Sequence, residues 1–510
     1  MCGIAGFCNF KEDFEENTDY WNFRLEKMRA VLAHRGNDAR GRYLKKHIGL
    51  SHSRLAIRDI LCGDQPMTRT HNGYEYTICY NGEIYNTDEL IPELSENGFV
   101  CSTTSDTEVI LYAYIHWGAD FVSRLNGIFA FAIWDAAKNR LLLYRDRVGV
   151  KPLFYAIRDD SLVFGSEPKA CFAHPAVKPE LDKQGLQELL AIGPAHTSGL
   201  SLFKDLFEVL PGHFMIYSRD GLHDETYWEL TSREHTESYR DTVAHTRFLV
   251  EDAIKRQMVS DVPVCTFLSG GIDSSIVTAI AANYMNTRGK TLNTFSFDFK
   301  DNDRYFKANA FQPERDLPYV NRMLEEYETS HSYLECDENS LFKALFAAVD
   351  AKDMPGMTDV DSSLLYFCSL VSRKNKVALT GECADEIFGG YPWFYRKELL
   401  ERYGFPWSSD VAPRLALLRD DVALELDLSG YQAFRYEKSR SKAPLLYGEA
   451  GEDESRRIIG YLNIKWFMQT LLDRMDRTSM YSELEARVPF ADHRICLLYT
   501  SPSPRDRSLS

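Results

Sequence analysis

Apolar residues divide the chain into two parts with different rhythms. In the first part, short apolar runs follow one another with only tight polar turns between them. Cys2-Gly3-Ile4-Ala5-Gly6-Phe7 reads as a buried first strand. LNGIFAFAIWD (125–135), LLLYRDRVGVKPLFY (141–155) and SLVFGSEPKA (161–170) read as further strands, and VLPGHFMIYSRDG (209–221) closes the set. This spacing predicts a sandwich of sheets with flanking helices, an α+β domain over residues 1–220. Residues 221–240 are polar and charged and read as a linker.

In the second part, single apolar strands alternate with helical patterns. DTVAHTRFLVEDAIKRQM (241–258) is an amphipathic helix. Val262, Val264, Cys265, Phe267 and Leu268 form a short, partly β-branched strand, which Ser269-Gly270-Gly271 breaks. A helix follows from Ile276 onward. TLNTFSFDF (291–299) is the next strand, ERDLPYVNRMLEEY a helix, and VALT before Gly381 a parallel strand. The alternation predicts an α/β domain with a parallel sheet over 241–496. Residues 497–510 read as a non-native or disordered tail, because Pro502, Pro504 and the serines around them suit neither helix nor strand.

Composition narrows the classes of function. The 510 residues suffice for two or three domains with substantial cores. A net charge of -16 argues against a nucleic-acid surface. No apolar run reaches the roughly 20 residues that span a bilayer, and residues 1–20 lack the apolar core of a signal peptide. The 11 cysteines are scattered with no CxxC pair, which suggests reduced thiols and a cytoplasmic protein.

Two stretches carry candidate chemistry. In Leu268-Ser269-Gly270-Gly271-Ile272-Asp273-Ser274-Ser275, a strand, a glycine turn and a helix start make an anion site. The glycines let the backbone approach a phosphate closely, and the serines add hydroxyl donors. The loop has no Lys, so it is not a Walker A loop. It carries Asp273, which would repel a phosphate by roughly 1 to 4 kcal/mol per charge pair at about 4 Å. A metal between them reverses that sign, which implies Mg²⁺. At the other end, Cys2 directly follows Met1. With Met1 removed, Cys2 carries a thiol and an α-amine whose reference pKa values, about 8.5 and 8, are matched. The amine can then serve as base for its own side chain. Read alone, Cys2 is equally a structural cysteine.

The phosphate loop resembles that of the ATP pyrophosphatases, and with MCGIAGF at the start the chain resembles the glutamine-hydrolysing asparagine synthetases as far as about Ile495. That resemblance implies an N-terminal nucleophile glutaminase domain followed by a pyrophosphate-loop synthetase domain. HRGND (34–38) stands where the family usually has HRGPD, so Asn37 is a departure. The resemblance assigns glutamine binding to Arg54, Asn81, Gly82, Glu83 and Asp106. Arg54 would pair with the α-carboxylate and Asp106 with the α-ammonium. Asn81 and Gly82 would form the oxyanion hole. Read alone, Asn81-Gly82 is a turn and Asp106 an N-cap. Arg145-Asp146-Arg147 and Lys151 also resemble family residues and equally suit a solvated turn.

In the second domain, Leu268, Ser269, Gly270, Gly271, Asp273, Ser274, Phe297, Thr380, Gly381 and Arg477 would bind ATP and its pyrophosphate, Phe297 against adenine. Asp273 and Asp385 would hold Mg²⁺, and Glu382 would support formation and breakdown of an acyl-adenylate. Thr380 and Cys383 replace the Ser and Gly of the usual SGEGADEIFGGY. The implied reaction is ATP-dependent amidation of L-aspartate with nitrogen from L-glutamine. Another carboxylate, such as a sugar acid or peptide, stays open as acceptor, and a homodimer stays open as assembly. Relatives that form β-lactams lose the nucleophilic cysteine, so Cys2 argues against them.

Overall fold

The computed structural model describes residues 2–308, 314–408 and 410–499. The first domain contains twelve strands: β1 Gly3–Asn9, β2 Ala39–Lys45, β3 Ile48–Arg54, β4 Met67–His71, β5 Tyr74–Ile84, β6 Gly127–Asp135, β7 Arg140–Arg145, β8 Phe154–Arg158, β9 Ser161–Gly165, β10 Phe207–Glu208, β11 His213–Ser218 and β12 Gly221–Thr226. They form two six-stranded antiparallel sheets, ordered β10-β8-β9-β1-β3-β2 and β12-β11-β7-β6-β5-β4. Ile4, Cys8, Leu50, Ala130, Leu143 and Phe164 fill the space between the sheets. The helix Thr18–Ala30 covers the outer face of the first sheet through Trp21, Leu25 and Met28. The helices Thr87–Glu96 and Asp106–Trp117 cover the second. The predicted sandwich is therefore present, in four layers.

The stretch 221–240 is not all linker. Gly221–Thr226 pairs with β11 in register from Gly221↔Ser218 to Thr226↔His213 and extends the second sheet. Its polar side chains suit an edge strand, so polarity alone misplaced it. At the other end, the following helix already begins at Tyr239, capped by Ser238.

The second domain has β13 Val264–Phe267, β14 Leu292–Phe299, β15 Thr329–Cys336, β16 Val377–Leu379 and β17 Glu485–Arg487. They form one parallel sheet ordered β15-β14-β13-β16-β17, with Thr266 opposite Leu379. Both strands that feed a candidate loop, β13 and β16, are adjacent in the middle of it. One core cluster runs from this sheet into the first domain, joining Val264, Val277 and Leu379 to Leu55, Ile57 and Val150. At the far end, a helix runs over His493–Tyr499 and Leu498 packs against the same core, so the expected tail begins with helix. The rest of the tail, 500–510, lies outside the described residues.

A buried ion cluster also ties segments together. His196 Nε2 lies 2.8 Å from Glu208 Oε1, and Arg145 Nη1 donates to Glu208 Oε2 at 2.9 Å. Burial would lower the His196 pKa, but the Glu208 charge lifts it from 6.5 to about 9. A raised folded pKa stabilises fully below the unfolded value and is lost as pH rises through the folded one. Urea unfolding of the His196→Gln variant should therefore reveal a loss on the order of 3 kcal/mol near pH 6. The gap should shrink as pH rises above about 6.5 and be nearly gone at about 9. A gap independent of pH would mean the pair stabilises through packing alone.

Candidate active sites

Cys2 stands just before β1, whose two neighbours, β3 and β9, bury it to 8% exposure. Its backbone nitrogen donates to Asn81 Oδ1 at 2.9 Å. A nitrogen donor there fixes the Asn81 amide with oxygen toward Cys2, so Nδ2 must point elsewhere. Nδ2 is buried and has no hydrogen-bond partner among the described residues. An unpaired buried donor is costly unless a ligand takes it. Gly82 follows within β5, opposite Phe129; a Cβ there would meet Ile128 O at 2.1 Å. Asn81-Gly82 is thus mid-strand, not a turn. Burial pushes the Cys2 thiol up, while the Leu55 N–H and Arg54 act against that.

Arg54 ends β3 and is held by Asp64 at 2.8 Å and by the carbonyl of Asp59 at 2.6 Å. Asp106 Oδ2 accepts from Tyr80 Oη at 2.8 Å and from the Ile84 N–H at 3.0 Å. Asp106 is the first residue of its helix; the N-cap is Ser105, whose hydroxyl accepts from Thr107 N. Arg54, Asp106, Glu83, Gly82 and Cys2 line one cleft, which the structure completes with Glu485 from the second domain. Burial and the Asp106 charge push Glu83 up to about 8, while Glu485 is held at about 2, against burial, first by the charge of the N-terminal amine and then by Arg487 and Lys151. Arg487 adds to the contrast, being 2.5 Å from Glu485 and 3.3 Å from Glu83. Sequence reasoning missed Glu485; no local signal in EARVPF distinguishes it.

The second cluster forms where β13 and β16 end. The helix after β13 starts at Ile272, four residues before the expected Ile276, which puts Asp273 in its first turn. Gly270 has φ +85° and a Cβ there would meet Asp316 O at 2.8 Å, so this turn requires glycine. Ser274 Oγ lies 2.9 Å from Ser269 Oγ and accepts from the Ser269 N–H at 3.2 Å, closing the loop on itself. Gly381 abuts this loop: a Cβ there would lie 2.9 Å from Ser274 N and 3.0 Å from Asp273 Cβ. Burial and the Asp385 charge raise Asp273 to about 6, and burial and Glu382 raise Asp385 in turn. Three acids therefore converge without full compensation. Cys383 sits at φ +77°, a left-handed position that glycine adopts at lower cost, which explains the usual glycine of the motif. Glu382 Oε1 accepts from Arg474 Nη2 at 2.9 Å.

Phe297, Leu268 and Ser269 line a cavity of about 810 Å³ at the carboxyl end of the sheet, together with Asp298 and Glu335. That volume suits a nucleotide-sized ligand. Phe297 also packs against Phe367 with ring centroids 5.3 Å apart. Thr380 is spent differently: its N–H and its hydroxyl both donate to Arg487 O, at 3.0 and 3.3 Å.

Arg477 departs furthest from expectation. It is fully buried, donates to Ala351 O at 2.9 Å and Asp353 Oδ2 at 2.7 Å, and lies 3.6 Å from Glu167. None of these bonds runs to the pyrophosphate loop. A buried guanidinium needs carboxylate partners, and here they come from the surface between the domains. Around it, Arg35 donates to Cys2 O at 3.1 Å, to Glu167 at 2.8 Å and to Asp476 at 2.8 Å, and Lys151 reaches Asp476 at 3.2 Å. So Lys151 is no solvated turn residue. Asn37, where the usual motif has proline, donates to Glu483 Oε1 at 2.7 Å across the same surface.

A β sandwich that opens on a cysteine, joined to a parallel sheet with a glycine-rich loop, has the layout of a two-domain amidotransferase. Residues 1–228 match the glutamine amidotransferase domain family and residues 245–507 the asparagine synthase family, past the point where the resemblance was expected to end. The chain is 48% identical to asparagine synthetase [glutamine-hydrolyzing] 3 of Bacillus subtilis, over 97% of this chain and 80% of that protein. Asparagine synthetase [glutamine-hydrolyzing] 1 of the same organism is 30% identical, over 96% of this chain and 79% of its own length. Amidase chyE of Penicillium rubens is 32% identical over 80% of this chain and 62% of that protein. The chain belongs to the glutamine-hydrolysing asparagine synthetase family.

Proposed function

We propose that this chain hydrolyses L-glutamine at Cys2 and uses the ammonia to convert L-aspartate to L-asparagine, with ATP as the energy source. The observation that carries the reading is Asn81: one end of its amide holds the Cys2 nitrogen, and the other is a buried donor with no partner among the described residues.

In this reading the Cys2 α-amine, exposed by loss of Met1, takes the thiol proton, and the sulfur attacks the glutamine side-chain carbonyl. Asn81 Nδ2 and the Gly82 N–H bind the oxyanion. Arg54 and Asp106 hold the glutamine α-carboxylate and α-ammonium. Ammonia leaves, and water later releases glutamate from the thioester. At the second site the aspartate β-carboxylate attacks the α-phosphate of ATP, giving β-aspartyl-AMP and pyrophosphate. Ammonia attacks that carbonyl, Glu382 accepts the proton, and asparagine and AMP depart. Burial of the interface between the sites favours delivery of ammonia in its neutral, nucleophilic form.

Among the described residues no group of three or more His, Cys, Asp or Glu side chains is arranged for a metal. Two carboxylates nevertheless fit Mg²⁺, which usually takes one or two from the protein and the rest from phosphates and water. Asp273 and Asp385, each raised by burial and by neighbouring acid charge, are the pair that would hold it. When bound, Mg²⁺ supplies neutralisation of the phosphate charge.

The acceptor is tested by acid-dependent pyrophosphate release with saturating ammonium salt and a panel of aspartate, sugar acids and peptide carboxylates. Aspartate should support release well above the others. Preference for a sugar acid or peptide would replace aspartate as the acceptor while keeping the amidation chemistry.

A further inference from the structure

Glu382 has a partner that the sequence did not single out. Arg474 lies on the helix Met468–Met480, and its Nη2 donates to Glu382 Oε1 at 2.9 Å. Glu382 directly follows Gly381, which abuts Asp273 and Ser274 of the phosphate loop, and its charge acts on Asp385. The Arg474 guanidinium therefore stands one side chain away from the groups proposed to hold the phosphates.

Its surroundings leave it under-compensated. The side chain is only 12% exposed, yet among the described residues the one carboxylate it pairs with is Glu382. Its Nε is buried and has no hydrogen-bond partner among the described residues. Two other buried cations of this region have more carboxylates around them. Arg477 has Asp353 and Glu167, although its Nη1 is also without a partner among the described residues, and Lys352 lies 3.5 Å from both Asp361 and Asp473. A desolvated guanidinium with an unspent donor, beside the reacting centre, is a site for an anion.

The acceptor proposed above supplies one. Its β-carboxylate must lie at the α-phosphate, and its α-carboxylate is two carbons away. We propose that Arg474 binds the α-carboxylate of the acceptor, through the edge that carries Nε, while Nη2 keeps Glu382 in place. Arg474 thereby selects an amino acid over a simple acid that has only the reacting carboxylate. Lysine cannot reproduce the fork, since it offers a point charge and not two donors in one plane. The inference rests on the amidation reading.

β-Alanine is aspartate without the α-carboxylate and isolates this contact. Pyrophosphate release is measured with saturating ATP, Mg²⁺ and ammonium salt for the parent, Arg474→Gln and Arg474→Lys, with aspartate and with β-alanine. The parent kcat/KM should favour aspartate by roughly 100-fold or more, as for a site built to bind a polar group that the analogue lacks. Arg474→Gln should lose most of that preference, because β-alanine turnover falls only through the loosened Glu382, whereas aspartate turnover falls through that and the lost α-carboxylate contact, at least about tenfold further. Arg474→Lys should fall between the two. Glutaminase activity at Cys2 reports that each variant is folded. An equal loss with both acceptors, in either variant, would overturn the proposal, since it would mean Arg474 acts only by positioning Glu382 or by supporting the fold. A parent that releases no pyrophosphate with aspartate would overturn the amidation reading, and this proposal with it. That outcome is distinct from the equal loss.

Discussion

Cys2→Ala should abolish glutamine-dependent asparagine formation and leave ammonia-dependent formation at the parent rate. The argument is one of location. The only proposed role of the Cys2 side chain is nucleophilic, and Asn81 holds the residue by its backbone nitrogen, which alanine keeps. The second site needs a nitrogen nucleophile of any origin. Cys2→Ser should fail almost as completely, because a hydroxyl is a far weaker nucleophile than a thiol at neutral pH. An N-terminal extension that keeps Met1 should mimic alanine with Cys2 unchanged, because a peptide nitrogen cannot take the thiol proton. Glutamate release and asparagine yield, with mass spectrometry of the first residue, check all three variants. A Met1-retaining enzyme that hydrolyses glutamine normally would exclude the α-amine as base. Loss of both nitrogen sources on Cys2→Ala would make the residue structural.

Asp273→Asn should remove pyrophosphate release with either nitrogen source and spare glutaminase activity in large part. Asp273 lies in the first turn of the helix after the glycine turn, and its Cβ stands close to Gly381 of the second loop. Asparagine keeps the shape and loses the charge that Mg²⁺ requires. The loss should exceed about a thousandfold, as expected when a metal ligand central to charge neutralisation is removed. Folding should be unharmed or improved, because burial and Asp385 already penalise the charged form of Asp273. Initial rates with ammonium and with glutamine, beside thermal unfolding, decide the matter. Full synthetase turnover by the variant would sink the metal role.

How legible the site was depends on how local its causes are. The strand–glycine–helix signature of the phosphate loop is local, and Ser269 to Ser274 lie where the sequence puts them. The glycine turn itself hid the true helix start, because Ile272 and Asp273 look like loop residues until the helix is seen. Asn81-Gly82 reads as a turn, yet pairing with β6 holds it in mid-strand. Gly221–Thr226 reads as linker because an edge strand exposed to water has no apolar alternation to give it away. Arg477 was assigned through the motif around it, but its environment is set by Glu167 and Asp353, distant in sequence and invisible to local reasoning. Arg474, Arg35 and Glu485 were missed for the same reason. Each gains its role from a partner more than 90 residues away, as in the pairs Arg474–Glu382 and Arg35–Asp476.

The central claim is that nitrogen released at Cys2 is the nitrogen that ends in the product of the second site. It is tested most directly with glutamine labelled with ¹⁵N at the side-chain amide, supplied with unlabelled aspartate, ATP and Mg²⁺. Products are followed by mass spectrometry and by phosphate analysis. The account predicts asparagine with ¹⁵N in its amide, formed together with equal amounts of AMP and pyrophosphate. Glutamate release without labelled asparagine, or ATP cleaved to ADP and phosphate, would contradict it.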